Sequence, residues 1–308
     1  MTHEPTELKH YIHKLIENLN KNDIPKKIDL ILDGGSFNGA YQLGALMYLK
    51  ELEKTKSMPF KIKRISGTSI GAVLGFLYLF DLLDLAPEIY LRLLSNFRNQ
   101  FQLNVLKNIL DEIETKYLKE DDYKRLNNKF YITYYNNNSK SQIICSKYNS
   151  NSELIEILKK TTHIPFFVDG KQTYNDCVDG MFPYIFKKRK KEMLYINLKK
   201  IKYVTHAFSV KNEDNVYSRL FEGIVDINHF FTKNKRTILC SYVNDWSVLD
   251  FIIFRASELA WVIVLSIIDF VISLKHKLPD CVVNSNCILG GSNVIYKLYG
   301  DIVSHLLG

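Results

Sequence analysis

The amino-acid sequence predicts an α/β fold with a mainly parallel central sheet, because two units of strand, glycine turn and helix follow each other directly. In the first unit, the β-favouring run 28–32 is followed by a glycine turn at 33–39 and by an apolar helical pattern. The second unit repeats this order around the glycine turn 67–71. Strands that alternate with helices are typical of parallel sheets covered by helices. Ligands bind such sheets at the carboxyl ends of the strands, so both turns are candidate site elements.

The remaining elements are predicted from hydrophobic periodicity and turn residues. Apolar residues recur at three- and four-residue intervals from Leu8 to Leu19, which indicates a first helix. Further helices are predicted over 87–125 and 153–160, a hairpin over 130–148, and short strands at 174–178, 193–198 and 203–209. We expect one domain over residues 1–308, with an N-terminal helix at 1–26, an α/β core at 27–210 and a helical C-terminal region at 211–308 packed on that core.

The composition is that of a globular chain with a basic surface. Of its 308 residues, 46% are hydrophobic and 24% are charged, which is the balance of an ordinary soluble domain with a sizeable core. The formal net charge of +8 favours anionic partners such as phospholipid head groups or nucleic acid. The densest basic run, 187–191, fits an anionic-surface patch, a nuclear address or a solvated loop, and we favour the loop.

Cysteine usage and the N-terminal residues predict an intracellular protein. The five cysteines form an odd number and lack the short paired spacings of a zinc site or a disulfide framework. We therefore expect a reducing setting, no metal and no other cofactor. Residues 1–5 continue into a charged amphipathic stretch, which has no apolar core of the kind that a secretory signal needs.

The most apolar stretch, 246–274, is predicted to be a core helix rather than a membrane span. Its charged residues are Asp250, Arg255, Glu258 and Asp269. The longest charge-free run, 259–268, is well short of the roughly 18 residues that a spanning helix needs. One narrow stripe at helical spacing holds Arg255, Glu258, Ser266, Asp269 and Ser273, so the rest of the circumference is apolar and has to be covered. The alternative is a helix that faces lipid or a partner, but we expect no clear transmembrane helix.

Gly67-Thr68-Ser69-Ile70-Gly71 matches the G-x-S-x-G nucleophile elbow. In this motif the flanking glycines, Gly67 and Gly71, permit a sharp turn from strand to helix that exposes the serine hydroxyl at the edge of the sheet. The motif follows a predicted strand and opens a predicted helix, which is the context that the chemistry requires. Without that context, an ordinary turn with a helix-capping Thr or Ser would be the better interpretation. Ser69 is therefore the candidate nucleophile.

Two further turns complete the candidate site. The turn 33–39 supplies several backbone N–H groups beside a helix N-terminus, which suits an oxyanion or a phosphate. It has neither the glycine spacing of a dinucleotide fingerprint nor the Lys-Ser/Thr end of a P-loop, so an oxyanion hole for acyl transfer is the leading interpretation. In the stretch 174–183, Asp179 ends a short strand before Gly180, although an Asp-Gly pair alone indicates only a turn.

Together these blocks resemble the patatin-like phospholipase family. The resemblance rests on Asp33-Gly34-Gly35 with Gly39, on the elbow 67–71, and on 164–167 leading to Val178-Asp179-Gly180 with Pro183, in the family's order and approximate spacing over about residues 27–209. It implies a three-layer α/β/α fold and a Ser-Asp dyad that acts on lipid acyl esters, with Ser69 as nucleophile and Asp179 as its partner. Gly34, Gly35 and Ser36 match the oxyanion-loop positions through their backbone N–H groups. The expected partners are a phospholipid substrate and an anionic membrane surface, and no nucleic acid.

Such a dyad places a demand on its surroundings. The ordinary pKa of an aspartate is about 3.9, which makes it a weak base for an alcohol, so the site has to be dry enough to raise that value. An apolar acyl pocket would supply this dryness. The candidates for its walls are Phe37, Ile70, Phe166, Phe167 and Phe182.

The sequence departs from the family pattern in two places. Ser36 and Asn38 stand where the family usually has a third glycine and a basic residue, and the missing cation would remove some stabilisation of developing negative charge. His163 stands where the family usually has a small residue, and is either a structural histidine, which we favour, or a substitute base. The alternatives to a hydrolase are a weak or inactive patatin-like domain that binds anionic membranes or a protein partner, and, ranked last, an acyl-carrier-protein transacylase.

Overall fold

The computed structural model describes residues 4–100, 102–187, 192–199, 207, 210 and 216–277. The chain forms two compact units, one of residues 1–208 and 213–245, the other of residues 209–212 and 246–308. Each unit is described by itself below. The division into one domain with a C-terminal region packed on its core stays a prediction.

The first unit is built on a central sheet with seven described strands. They are β1 (Ile28–Leu32), β2 (Ile62–Thr68), β3 (Phe130–Asn136), β4 (Ser141–Cys145), β5 (Cys177–Asp179), β6 (Glu192–Ile196) and β7 (Cys240–Tyr242). Six of them follow the order β4-β3-β2-β1-β6-β7, and β5 pairs with β3. The four central strands, β3, β2, β1 and β6, are parallel, whereas β4, β5 and β7 pair antiparallel to their neighbours. The predicted α/β fold with a mainly parallel sheet is confirmed.

Helices flank this sheet. Their bounds are α1 (Glu4–Glu17), α2 (Gly39–Lys54), α3 (Ser69–Leu79), α4 (Ala86–Gln100), α5 (Val105–Tyr117), α6 (Asn151–Thr161) and α7 (Tyr217–Lys233). All five residues of β1 are buried, as expected for a central parallel strand that helices cover on both faces. Two glycines, Gly44 of α2 and Gly223 of α7, let these two helices meet backbone to backbone, since a Cβ at either would lie 2.0 Å from a carbonyl oxygen of the other helix.

The structure corrects the prediction that the last third of the chain is wholly helical. Residues 240–242 form the edge strand β7, which pairs with β6. Three residues are too few to show a period-2 pattern, and it is pairing with β6 that makes this segment a strand. The predicted strand 203–209 falls, except for Ala207, outside the described residues, and so does the basic run 187–191, except for Lys187.

The second unit contains a long apolar helix, α8 (Val248–Lys277). Large apolar side chains of this helix, such as Leu249, Ile252 and Phe270, are more than half exposed, which does not fit the prediction of a core helix. The periodicity of this segment indicates an apolar surface that has to be covered. It does not indicate whether protein or another apolar medium covers that surface. Within the described residues, 248–270 form the one helix that is long and apolar enough to cross a membrane.

Helix α3 passes very close to the end of β1. A Cβ atom at Gly71 would lie 2.4 Å from the carbonyl oxygen of Asp33 and 2.8 Å from that of Leu32. Only glycine allows this approach, because real Cβ contacts are essentially never shorter than 3.0 Å. The second elbow glycine thus fixes the first turn of α3 against the strand that leads into the turn 33–39.

Replacement of Gly71 by alanine is expected to lower the free energy of unfolding by on the order of 1–3 kcal/mol, because the added methyl group meets backbone atoms of β1. Gly75→Ala is the matched control: it lies one turn further along α3, gains the same helix propensity, and its methyl group would meet only side-chain carbons, at 3.1–3.3 Å. Urea denaturation followed by far-ultraviolet circular dichroism measures both variants. Equal losses at the two positions would contradict the backbone clash.

Candidate active site

Ser69 lies at the sharp turn where β2 ends and α3 begins. Its φ of +52° is in the left-handed region, which is strained for a residue with a side chain and is typical of functional turns. The Ser69 amide donates a hydrogen bond of 2.9 Å to Oγ1 of Thr161, whose own hydroxyl donates to the carbonyl of Thr133. The last residue of α6 therefore holds the elbow on β3. The serine also lies at the N-terminus of α3, where the helix dipole is positive.

The overhang of β3 beyond β2 positions Asp179. Strand β2 pairs with β3 as far as Thr68 opposite Thr133. The next residue of β3, Tyr134, pairs with Asp179 of β5. Because β4 pairs with β3 over residues 132–136, β5 takes the other edge and continues the line of β2. Asp179 therefore lies just beyond the residue at which the elbow turns.

The Ser69 hydroxyl lies near the Asp179 carboxylate and, as a hydrogen-bond donor, favours its charged form. Both residues are buried, with exposed fractions of 4% and 3%. The amide of Met181 also donates to Oδ1 of Asp179, at 2.7 Å, and Oγ1 of Thr68 lies 3.4 Å from the same oxygen. Burial raises the pKa of Asp179 to about 6, although these hydrogen bonds oppose the rise. The pair is thus a hydroxyl next to a carboxylate of increased basicity.

The turn at 34–36 lies beside Ser69. A Cβ atom at Gly34 would lie 3.0 Å from Cβ of Ser69, so the absence of a side chain brings this turn against the serine. The amide of Gly34 donates to Oδ1 of Asp33 at 3.1 Å. The amides of Gly35 and Ser36 are therefore the better candidates for oxyanion donors. Ser36 has a φ of +48°, a backbone conformation that favours glycine.

The other two glycines named in the sequence also permit close packing. A Cβ atom at Gly67 would lie 2.8 Å from the backbone of Ala72 in the first turn of α3. One at Gly180 would lie 2.6 Å from the carbonyl oxygen of Thr133. Gly67 thus tightens the elbow, and Gly180 allows the turn after Asp179 to pack on β3.

An ion pair on the buried carboxylate of Asp33 ties the glycine turn to the turn after Asp179. The carboxylate of Asp33 is fully buried and accepts hydrogen bonds from the Tyr195 hydroxyl at 2.9 Å and the Leu198 amide at 3.3 Å. Nζ of Lys199 lies 2.5 Å from the same carboxylate and also donates to the carbonyl of Met181. Burial raises the pKa of Asp33, and the charge of Lys199 opposes this rise. One cation therefore contacts both turns that border the site.

A second cation reaches the glycine turn from α7. Nη1 of Arg219 donates a 2.9 Å hydrogen bond to Oδ1 of Asn38, and both residues are buried. Asn38 stands where the family usually has a basic residue, so here a guanidinium from another helix contacts that position. The sequence analysis missed Arg219, Thr161 and Lys199. Only Lys199 carries a signal, since it follows the carboxyl end of a parallel strand.

An apolar cavity opens beside Ser69. Its walls come from α2, α3, α4 and the segments near Leu103 and Ile164. Phe37 and Ile70, two of the five predicted wall residues, line it. The other three, Phe166, Phe167 and Phe182, are not among its lining residues. Phe166 is half exposed on the surface, and the ring of Phe182 lies against the ammonium group of Lys199.

The imidazole of His163 makes its contacts away from the serine. Nε2 lies 3.2 Å from the carbonyl oxygen of Lys171, and the ring lies 6.1 Å from that of Tyr174. Burial lowers the pKa of His163, and the nearby Lys107 lowers it further. Its backbone carbonyl accepts the amide of Asp179 at 2.9 Å. These contacts favour a structural histidine over a substitute base.

Across the part of the chain that the structure describes, no group of three or more His, Cys, Asp or Glu residues could hold a metal ion.

No curated protein matches the chain. Residues 30–182 match the family model of patatin-like phospholipases, a segment that includes the elbow, the glycine turn and Asp179. The chain therefore carries, at residues 30–182, a domain of the patatin-like phospholipase family, whose members are lipid acyl hydrolases.

Proposed function

We propose that the protein hydrolyses fatty-acyl esters of membrane lipids with a catalytic dyad of Ser69 and Asp179. The observation that carries this proposal is the placement of the buried Ser69 hydroxyl next to the buried Asp179 carboxylate, beside an apolar cavity. A reactive pair that borders apolar space suits an ester with a long acyl chain better than a polar substrate. The family match supports the same substrate class.

In the first half-reaction, Asp179 accepts the hydroxyl proton as Oγ of Ser69 attacks the ester carbonyl carbon. The carbonyl oxygen then carries the negative charge of the tetrahedral intermediate, and the amides of Gly35 and Ser36 are its proposed donors. Collapse of the intermediate breaks the ester C–O bond, and the leaving alcohol or lysolipid takes the proton from Asp179. The acyl group stays on Ser69.

In the second half-reaction, a water molecule replaces the alcohol. Asp179 accepts a proton from this water as its oxygen attacks the acyl carbonyl carbon, and the same amides stabilise the second oxyanion. Cleavage of the bond to Ser69 releases the fatty acid, and the proton on Asp179 returns to the serine oxygen. The dyad is then restored.

The substitutions Ser69→Ala and Asp179→Asn are each expected to reduce hydrolysis of a fluorogenic acyl ester by at least roughly 1,000-fold, because removal of a nucleophile or its base leaves only binding and the oxyanion donors. Ser69→Ala should also prevent labelling by a fluorophosphonate, which reacts with activated serines.

Two variants of the same chemical kind serve as controls. Ser66→Ala removes a buried hydroxyl on β2, and Asp176→Asn neutralises an exposed carboxylate three residues before Asp179. Both should keep activity within a few-fold of the parent. Full activity in either dyad variant would overturn the proposal. A folded parent protein that fluorophosphonate does not label would instead favour a non-catalytic domain that binds membranes or a partner.

Hydrolysis is expected to require the charged form of Asp179, the pKa of which burial raises to about 6. A protonated carboxyl group cannot accept the serine proton, so kcat/KM should be level above about pH 7 and fall about tenfold per pH unit well below pH 6. An uncharged short-chain ester is the substrate for this test, since it does not titrate. Enzyme held at low pH and then assayed at high pH controls for unfolding. A level profile down to about pH 4 would exclude Asp179 as the base.

Substitution of Val73 by phenylalanine is expected to shorten the acyl chain that the enzyme accepts. Val73 lines the cavity one turn beyond Ser69 on α3, about 6 Å along the helix axis, so a larger side chain blocks the path of a long chain. We expect kcat/KM for long-chain esters to fall on the order of tenfold, while short-chain esters change little. An equal loss for all chain lengths would indicate general damage and contradict this assignment of the cavity. Val225→Phe, on an exposed face of α7, is the matched control.

A further inference from the structure

Helix α8 has no part in the proposed hydrolysis, yet it is long and apolar. Within residues 248–270, the most apolar 18-residue window has a mean hydropathy of 2.1, and only 11% of that window is buried. A core helix of a soluble protein would be mostly buried, and a secretory signal would lie near the N-terminus. We propose that α8 crosses a lipid bilayer and anchors the protein in it. This inference does not depend on hydrolysis.

The length of α8 and the distribution of its apolar side chains fit a helix that spans a bilayer better than a helix that lies in the membrane interface. The 23 residues of 248–270 extend about 35 Å at 1.5 Å per residue, against a hydrocarbon thickness of about 30 Å. A helix that lies in the interface needs a broad charged face. On α8 the charged residues Arg255, Glu258 and Asp269 share one narrow stripe, whereas Asp250 caps the N-terminus. The exposed apolar side chains take up more than half of the circumference. They include Val248, Leu249, Ile252, Ile263, Val264 and Ile267.

Four polar side chains within this stretch have partners on the helix itself. Arg255 and Glu258 form an ion pair in which Nη1 lies 2.5 Å from Oε2. The hydroxyls of Ser257 and Ser266 donate to the carbonyls four residues earlier, at 2.8 and 2.9 Å. A polar group that is paired within its own helix costs much less in hydrocarbon than an unpaired one. The two central charges therefore do not exclude a span.

Both ends of α8 carry residues that suit the membrane interface. Ser247 and Asp250 cap the N-terminus reciprocally, since each backbone amide donates to the other side chain. Trp246 precedes this cap, and the sequence has Lys275 and Lys277 at the other end. Aromatic and basic residues are enriched where spanning helices leave the hydrocarbon.

The two tryptophans of the chain, Trp246 and Trp261, allow a direct test of this placement. The variant Trp246→Phe keeps Trp261, which lies near the middle of α8. The variant Trp261→Phe keeps Trp246, which lies just before the first residue of α8. Both variants are made in a Ser69→Ala background, so that hydrolysis does not change the lipids. Each full-length protein is reconstituted into uncharged phosphatidylcholine vesicles whose acyl chains carry bromine either near the carbonyl or near the methyl end.

We expect deep bromines to quench Trp261 by at least about half and shallow bromines to quench it less, because the middle of a span lies at the bilayer centre. Trp246 should show the opposite preference. Shallow quenching of both tryptophans would indicate a helix that lies in the interface and would overturn the proposal. Absence of quenching would also overturn it, and would point to cover by residues 278–308 or by a protein partner.

Flotation of vesicles after an alkaline carbonate wash gives a second test that uses the full chain. The parent protein should stay with phosphatidylcholine vesicles. A double variant I263R/I267R, at two exposed positions of α8, should be lost to the wash. A double variant L91R/I144R, at exposed positions of the first unit, should behave like the parent. Release of the parent by carbonate or by high salt would show surface adsorption only and would contradict a span.

Discussion

The buried carboxylate of Asp33 is the interaction on which the geometry of the site depends. Its partners, Tyr195, Leu198 and Lys199, lie on β6 or just after it, so it joins the carboxyl ends of β1 and β6 beneath the glycine turn. Lys199 extends the link to the carbonyl of Met181. A buried carboxylate that lost these partners would cost on the order of several kcal/mol. The turn beside the serine and the turn after Asp179 are therefore held together by one electrostatic link.

Strand register then determines where the two reactive side chains meet. Asp179 pairs with Tyr134, one residue beyond the pair of Thr68 and Thr133, and so lies beside the start of α3. A slip of one residue between β5 and β3 would direct the Asp179 carboxylate to the opposite face of the sheet. The amide of Met181 and the carbonyl of His163 hold the strand end on either side of this residue. A strand of three residues makes few ladder hydrogen bonds, so these additional contacts help to fix the position of Asp179.

Local patterns in the sequence were enough to predict the elbow, the glycine turn and the first two strands, because glycine positions and apolar runs depend directly on backbone geometry. The contacts of Thr161 and Arg219 could not be predicted in this way. Each joins segments far apart in the chain, and a lone Thr or Arg carries no periodic signal. Strand β7 was missed because pairing with β6, and not its own pattern, makes it a strand. For α8 the pattern indicated an apolar circumference, but the sequence of a helix alone does not determine whether protein or lipid covers it.

Exclusion of water from the site affects both the basicity of Asp179 and the kind of substrate that fits. The burial that raises the pKa of Asp179 to about 6 comes from packing around a site whose adjoining cavity is apolar. Wider access for water would lower that pKa towards the ordinary value for an aspartate and would weaken the base. A polar substrate would have to bring water into the same space, whereas an acyl chain fills it and excludes water. In the proposed mechanism, a Ser-Asp pair therefore favours esters whose acyl group is apolar, and the proposed selectivity for lipids has the same physical cause as the proposed catalysis.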